Sequence, residues 1–424
     1  MKKILLFGAG KSATCLIDYL LEETALRGWE FLLADGNLET AQSKIGNAPH
    51  AKACGLEVEN DQQRNILIRQ ADIVISLLPP ALHFLVAGSC LEFGKNLLTA
   101  SYVDEKIQAL GPEILKKQLL FLCEMGLDPG IDHMSAVELI ERIKNQGGRI
   151  HSFKSHTGGL VAPEDDNNPW HYKISWNPRN VVLAGSAGAV YRENQQTKTI
   201  PYQDIFNTCT EVHIPGLGAL AYYPNRDSLG YIPVYALQEA DTFIRTTLRY
   251  PEFCTAWNQL VKAGLTDEKK APDPHARNIK QWSAPVLPWV NETNRAQLAF
   301  LGLFEDSPLP QQAKSNADIL QYLLETRLAM QPDDKDMIVM LHEIDYTLEN
   351  VTRSLKSALM VKGENNIRTA MAKTVGLPLG IAAIQILLGE ITLKGLHIPI
   401  LPEIYGPVLK ELGQRGIRFR EVFS

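Results

Sequence analysis

Two carboxylates stand in the short segment 125–133, MGLDPGIDH, among turn-forming residues. Pro129 fixes one backbone dihedral of this turn, Gly130 frees the next, and Asp132 is suited to capping a following helix. Turn and cap account for Asp132 but leave Asp128 without a structural role. Spacing alone leaves two interpretations open, a structural turn and the floor of an active site.

A second candidate segment, GAGKSA at 8–13, follows a predicted strand and runs directly into a predicted helix. It has the Gly-x-Gly-x-x-Gly/Ala pattern of dinucleotide-binding proteins. The first glycine permits a tight turn, the second lets a pyrophosphate approach the backbone, and the alanine allows close helix packing. Amides at the helix start then hold the phosphates. We predict that a dinucleotide binds here, with a purely structural glycine turn as the alternative; the predicted contacts are Gly8, Ala9, Gly10, Lys11 and Ser12.

The next two predicted cofactor contacts also follow strands. Asp35 ends the second strand, near the spacing of the acid that hydrogen-bonds the adenine ribose. A carboxylate there repels a 2'-phosphate, so NAD is the predicted cofactor and NADP the alternative. A solvated turn residue before Gly36 would look the same. The run SLLPP at 76–80 stops a strand where ligands cross a Rossmann sheet.

The elements that must position these residues alternate along the N-terminal part. Near-continuous apolar strands such as KILLFG, ADIVISLLP and LLFLCEMG are separated by helical patterns, as a parallel sheet covered on both faces requires. The segments TASYVD at 99–104 and MGLDPGIDH follow two of these strands. Both therefore lie at the carboxyl edge, where open α/β sheets bind ligands.

The pattern of apolar and polar residues changes beyond residue 146. Segments such as RIHSFKSH and ALAYYPN alternate side chains like a mixed sheet with one exposed face. Residues 240 to 330, beginning with EADTFIRTTLRY, have helical periods; 337–362 predicts paired strands and a long helix starts near Arg368. The predicted fold is α/β, a Rossmann-type doubly wound parallel sheet plus a mixed α/β substrate domain with an all-helical insertion. The predicted bounds are 1–130 with about 385–424, about 131–240 with 335–384, and about 241–334, respectively.

Composition excludes several classes of protein. The 424 residues are 45% hydrophobic and 21% charged, with a net charge of −6 and no basic run, so we expect a small-molecule ligand rather than nucleic acid or a membrane. Six scattered cysteines and the lack of a His-Glu-x-x-His motif predict no metal and no disulfide framework. The apolar stretch 374–389 is short for a membrane span and contains Pro378. We expect a cytoplasmic protein.

A second ligand-binding loop is predicted at 156–179, where adjacent glycines would expose amides to a carboxylate and two cations, Lys173 and Arg179, lie nearby. The segment YPNRDS offers Arg226, whose planar guanidinium suits a carboxylate. Singly, such arginines are more often surface residues.

Taken together, these segments resemble the saccharopine dehydrogenase family, especially its glutamate-forming saccharopine reductases. The resemblance extends over nearly the whole chain and includes DIVISLLPP, LLTASYV, EMGLDPGIDHM, GGLVAPEDDNNPWHYKISW, YPNRDS and AMAKTVGLPLGIAAIQILL. It implies reversible NAD(P)-dependent conversion of saccharopine and water into L-glutamate and 2-aminoadipate 6-semialdehyde, in lysine metabolism. It also implies a Rossmann domain completed by C-terminal residues, and we expect a homodimer.

The resemblance assigns roles to particular residues. The implied reaction also needs an acid or base for its proton transfers, for which we predict Asp128, with Tyr102 as the alternative donor and solvent as a further alternative. The implied cofactor contacts are the glycine loop, Asp35, Ser76, Leu77, Leu78, Pro79, Gly126 and Leu127. The implied or predicted substrate contacts are Ser101, Tyr102, Asp128, Gly158, Gly159, Trp176, Arg226, Thr247, Leu248 and Arg249.

Two departures from the fungal members matter. Their second strand ends in a neutral residue followed by Arg-Thr, whereas this chain has Asp35-Gly36-Asn37, which favours NAD. Their Tyr-Cys-Gly-Gly segment is His156-Thr157-Gly158-Gly159 here, which excludes a cysteine role. The alternative functions are a carboxynorspermidine-dehydrogenase-like enzyme, disfavoured by arginines facing an ammonium substrate, and a non-catalytic NAD sensor.

Overall fold

The computed structural model describes residues 1–423. Its strands, in chain order, are β1 (Lys3–Phe7), β2 (Glu30–Asp35), β3 (Ala51–Gly55), β4 (Ile73–Ser76), β5 (Asn96–Thr99), β6 (Leu120–Leu122), β7 (Arg149–Val161), β8 (Ala189–Glu193), β9 (Gln196–Ile200), β10 (Thr210–Ile214), β11 (Gly218–Pro224), β12 (Arg226–Asp227), β13 (Thr242–Arg249), β14 (Asp336–Leu348), β15 (Val351–Lys362), β16 (Gly395–His397) and β17 (Arg420–Phe423).

The α-helices, in chain order, are α1 (Thr14–Arg27), α2 (Leu38–Ile45), α3 (Asp61–Gln70), α4 (His83–Glu92), α5 (Glu105–Ala109), α6 (Gly111–Lys116), α7 (Ile131–Asn145), α8 (Pro178–Val182), α9 (Tyr231–Val234), α10 (Pro251–Lys262), α11 (Ile279–Trp282), α12 (Arg295–Phe300), α13 (Asn316–Arg327), α14 (Ala370–Leu388) and α15 (Pro402–Gln414). The chain divides into two units. Unit 1 comprises Met1–Arg142 and Ile367–Arg418, and unit 2 comprises Ile143–Asn366 and the segment from Phe419.

Unit 1 is built on a seven-stranded parallel sheet in the order β16-β6-β5-β4-β1-β2-β3. The order reverses direction at β1 and β4, as in a doubly wound Rossmann sheet. Ile4, Leu5 and Leu6 of β1 are all fully buried, which explains why the central strands are continuous apolar runs rather than alternating ones. The predicted Rossmann-type fold is confirmed.

The C-terminal segment returns to unit 1, as the resemblance implied, but it does so earlier than residue 385. The helix α14 belongs to unit 1 as a whole, where Gly376 and Gly380 let it approach Leu16 and Tyr19 of α1. By length and composition α14 could cross a membrane, but 72% of its most apolar window is buried. Those apolar residues are explained by the core of unit 1, since a core helix passes the same test.

Unit 2 contains a ten-stranded mixed sheet with the central order β10-β11-β13-β7-β14-β15-β17. The paired strands predicted at 337–362 are confirmed as β14 and β15, in register from Met337 opposite Lys362. The helical pattern predicted for EADTFIRTTLRY is wrong, because Thr242–Arg249 forms β13, parallel to β7. Both faces of β13 are buried, so its pattern lacks the alternation that marks a half-exposed strand.

The remaining residues of the predicted insertion form the short helices α10 to α13 within unit 2. They pack on an aromatic cluster in which the rings of Phe253 and Trp257 stack at 5.0 Å and Trp170 meets both edge-on. These side chains are at most 1% exposed. The cluster lies beside a residue predicted to bind substrate, because the guanidinium of Arg249 lies over the ring of Phe253.

Candidate active site

The loop that carries Asp128 is rigid and almost entirely buried. From Leu119 to Val137 every residue is buried except Asp128, which is partly exposed. The amide of Gly126 donates to the carbonyl of Pro129 at 2.9 Å, which closes the turn. Asp128 is therefore the accessible carboxylate of an otherwise buried segment. A turn that only precedes a helix does not require an accessible carboxylate at this position.

Two residues shape this turn from within. Gly130 has φ of 146°, and a Cβ there would lie 2.0 Å from the carbonyl oxygen of Gly126, so no other residue fits. Asp132 lies in the first turn of α7, and its Oδ1 accepts the Gly130 amide at 2.6 Å. The predicted capping role of Asp132 is therefore wrong in position, because α7 begins at Ile131; its carboxylate instead holds the loop that precedes the helix.

Tyr102 and Asp128 are brought together, as their predicted roles require. The phenol Oη of Tyr102 donates to Asp128 Oδ1 at 3.3 Å. Tyr102 follows β5, and the carbonyl of its neighbour Ser101 accepts the amide of Glu124 at 3.1 Å, which ties the two loops together. A carboxylate and a phenol in contact form a pair that can accept a proton and return it.

The glycine loop has the geometry that a dinucleotide needs. Gly8 has φ of 103°, and a Cβ on it would lie 2.7 Å from the carbonyl oxygen of Leu77, so β1 and the 76–79 segment approach each other closely. A Cβ on Gly10 would meet nothing within 4 Å. The space above Gly10 is thus open for a phosphate, directly before the helical turn Lys11–Ala13 that leads into α1.

Asp35 is bound to the glycine loop itself. Its Oδ2 accepts the amide of Ala9 at 2.7 Å, and its Oδ1 accepts the amide of Asn37 at 2.8 Å. The carboxylate is therefore fixed beside the loop at the end of β2, where an adenine ribose lies in Rossmann proteins. The residues present fit an NAD(P) cofactor.

Sequence reasoning missed Lys44 at this loop. Its Nζ donates to the carbonyl of Gly10 and to Thr14 Oγ1, each at 2.8 Å. Burial lowers the pKa of Lys44, against the opposing effect of Asp18 and Asp35. The cation lies next to the predicted phosphate site. No motif signals it, because it comes from α2, more than thirty residues beyond the glycines that it contacts.

The other predicted cofactor residues lie in unit 1 with mostly structural contacts. Leu78 packs against the apolar core, and Pro79 precedes the helical turn Pro80–Leu82. Leu127 is 5% exposed and lies in the buried Asp128 loop. The side chains of these residues are apolar and pack at the carboxyl edge of the sheet. Their backbone atoms are therefore the groups that can hydrogen-bond a cofactor.

In unit 2 the most informative residue is Arg249, at the end of β13. It is 4% exposed, its guanidinium lies over the rings of Tyr172 and Phe253 at 5.3 and 5.4 Å, and its Nη1 donates to the carbonyl of Leu248. Its Nε has no hydrogen-bond partner among residues 1–423, and no carboxylate in that part of the chain pairs with it. A buried charge without a counter-ion is costly, so Arg249 is prepared for an anion from outside the chain.

Trp176 borders the same cluster. It is partly buried, packs against the aromatic core, and donates from Nε1 to Tyr172 Oη at 3.1 Å. Tyr172 thus connects Trp176 with Arg249. Thr247, also on β13, lies opposite Thr157 of β7 and is partly exposed. These residues surround one predicted anion site.

Arg226 is placed differently from Arg249. It is exposed on β12, which pairs with β8, and has φ of 51°. A left-handed backbone at a residue other than glycine costs about 1–3 kcal/mol and occurs often at ligand-binding positions. This geometry is compatible with the predicted substrate contact.

Gly158 and Gly159 lie in a strand rather than in the predicted loop, and their contact with substrate stays a prediction. Both glycines lie inside β7, opposite Val339 and Ile338 of β14. A Cβ on Gly158 would lie 2.7 Å from the Cβ of Leu248, so close strand packing explains this glycine. Leu248 is fully buried, which makes its role one of packing.

The two cations expected near that loop are already paired. Lys173 donates to Asp334 Oδ2 at 2.7 Å, and both side chains are buried. Arg179 donates to Asp318 Oδ1 at 2.7 Å and lies near Glu268. Protein carboxylates neutralise both, which leaves Arg249 as the better anion-binding candidate.

Comparisons with known proteins place both parts of the chain in one family. The family model of the saccharopine dehydrogenase NADP binding domain matches residues 4–121, and that of the saccharopine dehydrogenase C-terminal domain matches 126–417. The chain belongs to the saccharopine dehydrogenase family. The predicted resemblance is confirmed, and an NADP-type dinucleotide-binding domain is assigned to the part that carries the glycine loop.

This chain is 33% identical to the NADP(+)-dependent, L-glutamate-forming saccharopine dehydrogenase of Schizosaccharomyces pombe, over 99% of both chains. It is 34% identical to the mitochondrial alpha-aminoadipic semialdehyde synthase of Bos taurus, covering 99% of this chain and 47% of that protein. The structure superposes on apo, histidine-tagged saccharopine dehydrogenase (L-Glu forming) from Saccharomyces cerevisiae with a TM-score of 0.91, 32% identity and full coverage of both chains.

Proposed function

We propose that this protein is an L-glutamate-forming saccharopine dehydrogenase, an oxidoreductase acting on CH–NH donors in lysine metabolism. The observation that carries the proposal is the end-to-end similarity to enzymes of that activity, at 33% identity over 99% of both chains. The sites support it, because the reaction needs groups that exchange protons and cations that receive carboxylates, and the chain offers a partly exposed carboxylate–phenol pair and a buried guanidinium that no carboxylate of residues 1–423 meets.

The glycine loop at 8–13 and Asp35 would hold NAD(P)+, which would supply the hydride acceptor for oxidation of saccharopine at the CH2 carbon on the 2-aminoadipate side of its secondary amine. The resulting imine adds water, and the carbinolamine then separates into L-glutamate and 2-aminoadipate 6-semialdehyde. A proton must leave the amine and the attacking water, and one must reach the departing nitrogen. Asp128 is the accessible carboxylate for these transfers, and the phenol of Tyr102, 3.3 Å away, can supply or hold the second proton.

The residues of unit 2 have a different task. Saccharopine has three carboxylates, and Arg249 supplies a guanidinium whose charge no carboxylate of residues 1–423 meets. Bidentate pairing with a carboxylate would satisfy its Nε, because Nε and one Nη form one side of the planar fork. Arg226 offers a second, exposed cation. A diamine-type substrate would be repelled by both.

For the cofactor we propose NAD as the preferred form, although the named relatives use NADP. The support is Asp35, whose carboxylate is fixed beside the loop by two amides and would repel a 2'-phosphate. Lys44 of α2, which donates to the carbonyl of Gly10 in that loop, would partly offset this repulsion for NADP.

The test is to supply the purified protein with L-glutamate and 2-aminoadipate 6-semialdehyde together and to follow oxidation of NADH and of NADPH in separate reactions. We expect oxidation that requires both substrates, with NADH used more efficiently. Tight NADH binding without turnover by either cofactor would contradict the proposal and favour the sensor interpretation.

We further propose a cytoplasmic homodimer. Val422 and Phe423, 49% and 63% exposed on the outermost strand β17, are apolar residues on a sheet edge that a second copy would cover. Light scattering on the purified protein and fractionation of the source cell test the two parts separately.

A further inference from the structure

A buried histidine in unit 1 connects two hydroxyl groups at the carboxyl edge of the sheet. His83 is the first residue of α4 and is 4% exposed. Its Nδ1 lies 2.8 Å from Ser76 Oγ, and its Nε2 lies 2.8 Å from Ser101 Oγ. The mechanism outlined above does not use this imidazole.

The two serines occupy neighbouring strand ends. Ser76 is the last residue of β4, and its register partner Thr99 ends β5, two residues before Ser101. Ser76 begins the segment that meets Gly8 of the dinucleotide loop, through Leu77. Ser101 directly precedes Tyr102, the donor to Asp128. The imidazole therefore bridges the cofactor side and the proton-transfer side of one sheet edge.

The bridge has a definite polarity because the ring is neutral. Burial lowers the pKa of His83 to about 4, against a smaller opposing effect of Asp104. A neutral imidazole has one N–H donor and one acceptor nitrogen. The two serine contacts, each 2.8 Å long, are then divided between these roles: one serine donates its hydroxyl hydrogen to the ring and the other accepts from the ring, while Thr99 Oγ1 lies farther away, 3.3 Å from Nε2 and 3.5 Å from Nδ1. Ser76 is fully buried and Ser101 is partly exposed, so the Ser101 hydroxyl is the one that can face a ligand directly.

We propose that His83 is a positioning residue that fixes the hydroxyl group of Ser101 for contact with the amino-acid substrate and, through the buried Ser76, the backbone of the 76–79 segment for contact with the dinucleotide. This rests on the proposed function. The imidazole acts through the two serines: it makes the rotatable Ser101 hydroxyl a preorganised hydrogen-bonding group and holds the end of β4 in place through Ser76. A merely structural histidine would fill the space under α4 without any such division between its two nitrogens.

The separate roles of Nδ1 and Nε2 can be tested with substitutions of His83 that each keep one of its two serine contacts. The amide of an asparagine reaches the position of imidazole Nδ1, whereas the longer glutamine reaches that of Nε2. His83→Asn therefore keeps the contact to Ser76, and His83→Gln keeps the contact to Ser101. His83→Leu removes both contacts and keeps the volume. A matched control is His151→Asn in unit 2, where His151 lies 2.7 Å from Thr347 Oγ1 away from every predicted site residue.

Two measurements separate the roles. Binding of NADH and NADPH is measured by nicotinamide fluorescence, which does not need turnover, and kcat and KM for saccharopine are measured at saturating cofactor. We expect His83→Asn to bind dinucleotide within about twofold of wild type and to lose about tenfold in kcat/KM for saccharopine, the worth of one fixed hydrogen bond. His83→Gln should show the opposite pattern, with dinucleotide binding weakened about tenfold. His83→Leu should lose both.

Equal losses in His83→Asn and His83→Gln that only follow their lowered melting temperatures, or wild-type values in all three variants, would overturn the proposal. If wild type binds dinucleotide but does not oxidise saccharopine, the proposed function fails. The binding comparison then still decides the Ser76 half of this inference, since opposite effects of asparagine and glutamine support it and identical effects overturn it.

Discussion

Replacing Arg249 with methionine should weaken substrate binding while leaving the free energy of unfolding nearly unchanged. The side chain is 4% exposed, its Nε lacks a partner among residues 1–423, and no carboxylate of that part of the chain pairs with it. Methionine has a similar length and no charge, so it removes a cost from the unliganded protein. The same substitution removes the group that would receive a substrate carboxylate.

The magnitudes follow from the contacts. A buried donor left unsatisfied costs about 1–3 kcal/mol, which the substitution recovers. It loses the hydrogen bond to Leu248, about 1.5–3 kcal/mol for a charged donor, and two cation–π contacts with Tyr172 and Phe253, about 0.5–2 kcal/mol each. The desolvation cost of the charge itself, several kcal/mol, is also removed. These effects nearly cancel, so we expect the free energy of unfolding to change by less than about 2 kcal/mol.

Binding has no such cancellation. Loss of one partner of a buried charge pair costs about 2–5 kcal/mol, which corresponds to a rise in KM for saccharopine of about thirtyfold to several thousandfold. The assays are urea unfolding of the unliganded variant and steady-state kinetics with saccharopine at saturating cofactor. Reduced kcat/KM with nearly unchanged stability is the expected result.

Lys173 provides a matched control in the same unit. It is equally buried, but its charge is met by Asp334 at 2.7 Å. Lys173→Met should leave that aspartate uncompensated and lower the free energy of unfolding by about 3–5 kcal/mol, with little change in KM of the folded fraction. If Arg249→Met behaves like Lys173→Met, with lost stability and an unchanged KM, Arg249 is a structural residue and the anion site is refuted.

Three further predictions concern unit 1. Asp128→Asn should lower kcat by about 10²–10⁴-fold with dinucleotide affinity unchanged, and Tyr102→Phe should have a smaller effect; a kcat of wild-type size in Asp128→Asn would show that solvent makes the proton transfers. Asp35→Ser should improve use of NADPH relative to NADH in comparative kcat/KM measurements, and an unchanged ratio would remove Asp35 from cofactor selection. Because the pKa of His83 falls from 6.5 to about 4 on folding, the unfolded chain binds the extra proton between these values, so stability is fully present above pH 6.5 and falls as the pH is lowered. At pH 5 the loss is about 2 kcal/mol. In urea unfolding, the free energy should fall more steeply with decreasing pH in wild type than in His83→Gln, and this difference is the contribution of His83.

The Rossmann part of the fold was predictable because its signals are local. A buried parallel strand is an uninterrupted apolar run. The turn after β1 needs glycine because the backbone of Gly8 lies close to the carbonyl of Leu77. The order of strands then follows from right-handed crossovers, which also bring the ends of β5 and β6 to one edge. The contact between Tyr102 and Asp128 is a consequence of that rule, although neither residue has a local signal for it.

The mixed sheet was harder to predict because its central strands are buried on both faces. In β13 the residues of TFIRTTLR are nearly all buried, so apolar and polar positions follow neither the strand nor the helix period. Arginine in such a run suggests an exposed helix face. Only the neighbouring strands, β7 and β11, determine that Arg249 is buried, and their pairing is a long-range property.

Lys44 and His83 were missed for a related reason. Each satisfies groups far away in sequence, and lone lysines or histidines on helices are usually solvated or packed in a core. Asp128 differs because its neighbours restrict it so strongly. Every residue from Leu119 to Val137 except Asp128 is buried, and Asp132 stabilises the turn from inside. A fully ordered loop has no structural need to keep one carboxylate partly exposed beside a phenol, so a rigid frame around a single accessible acid is better explained by chemistry than by folding.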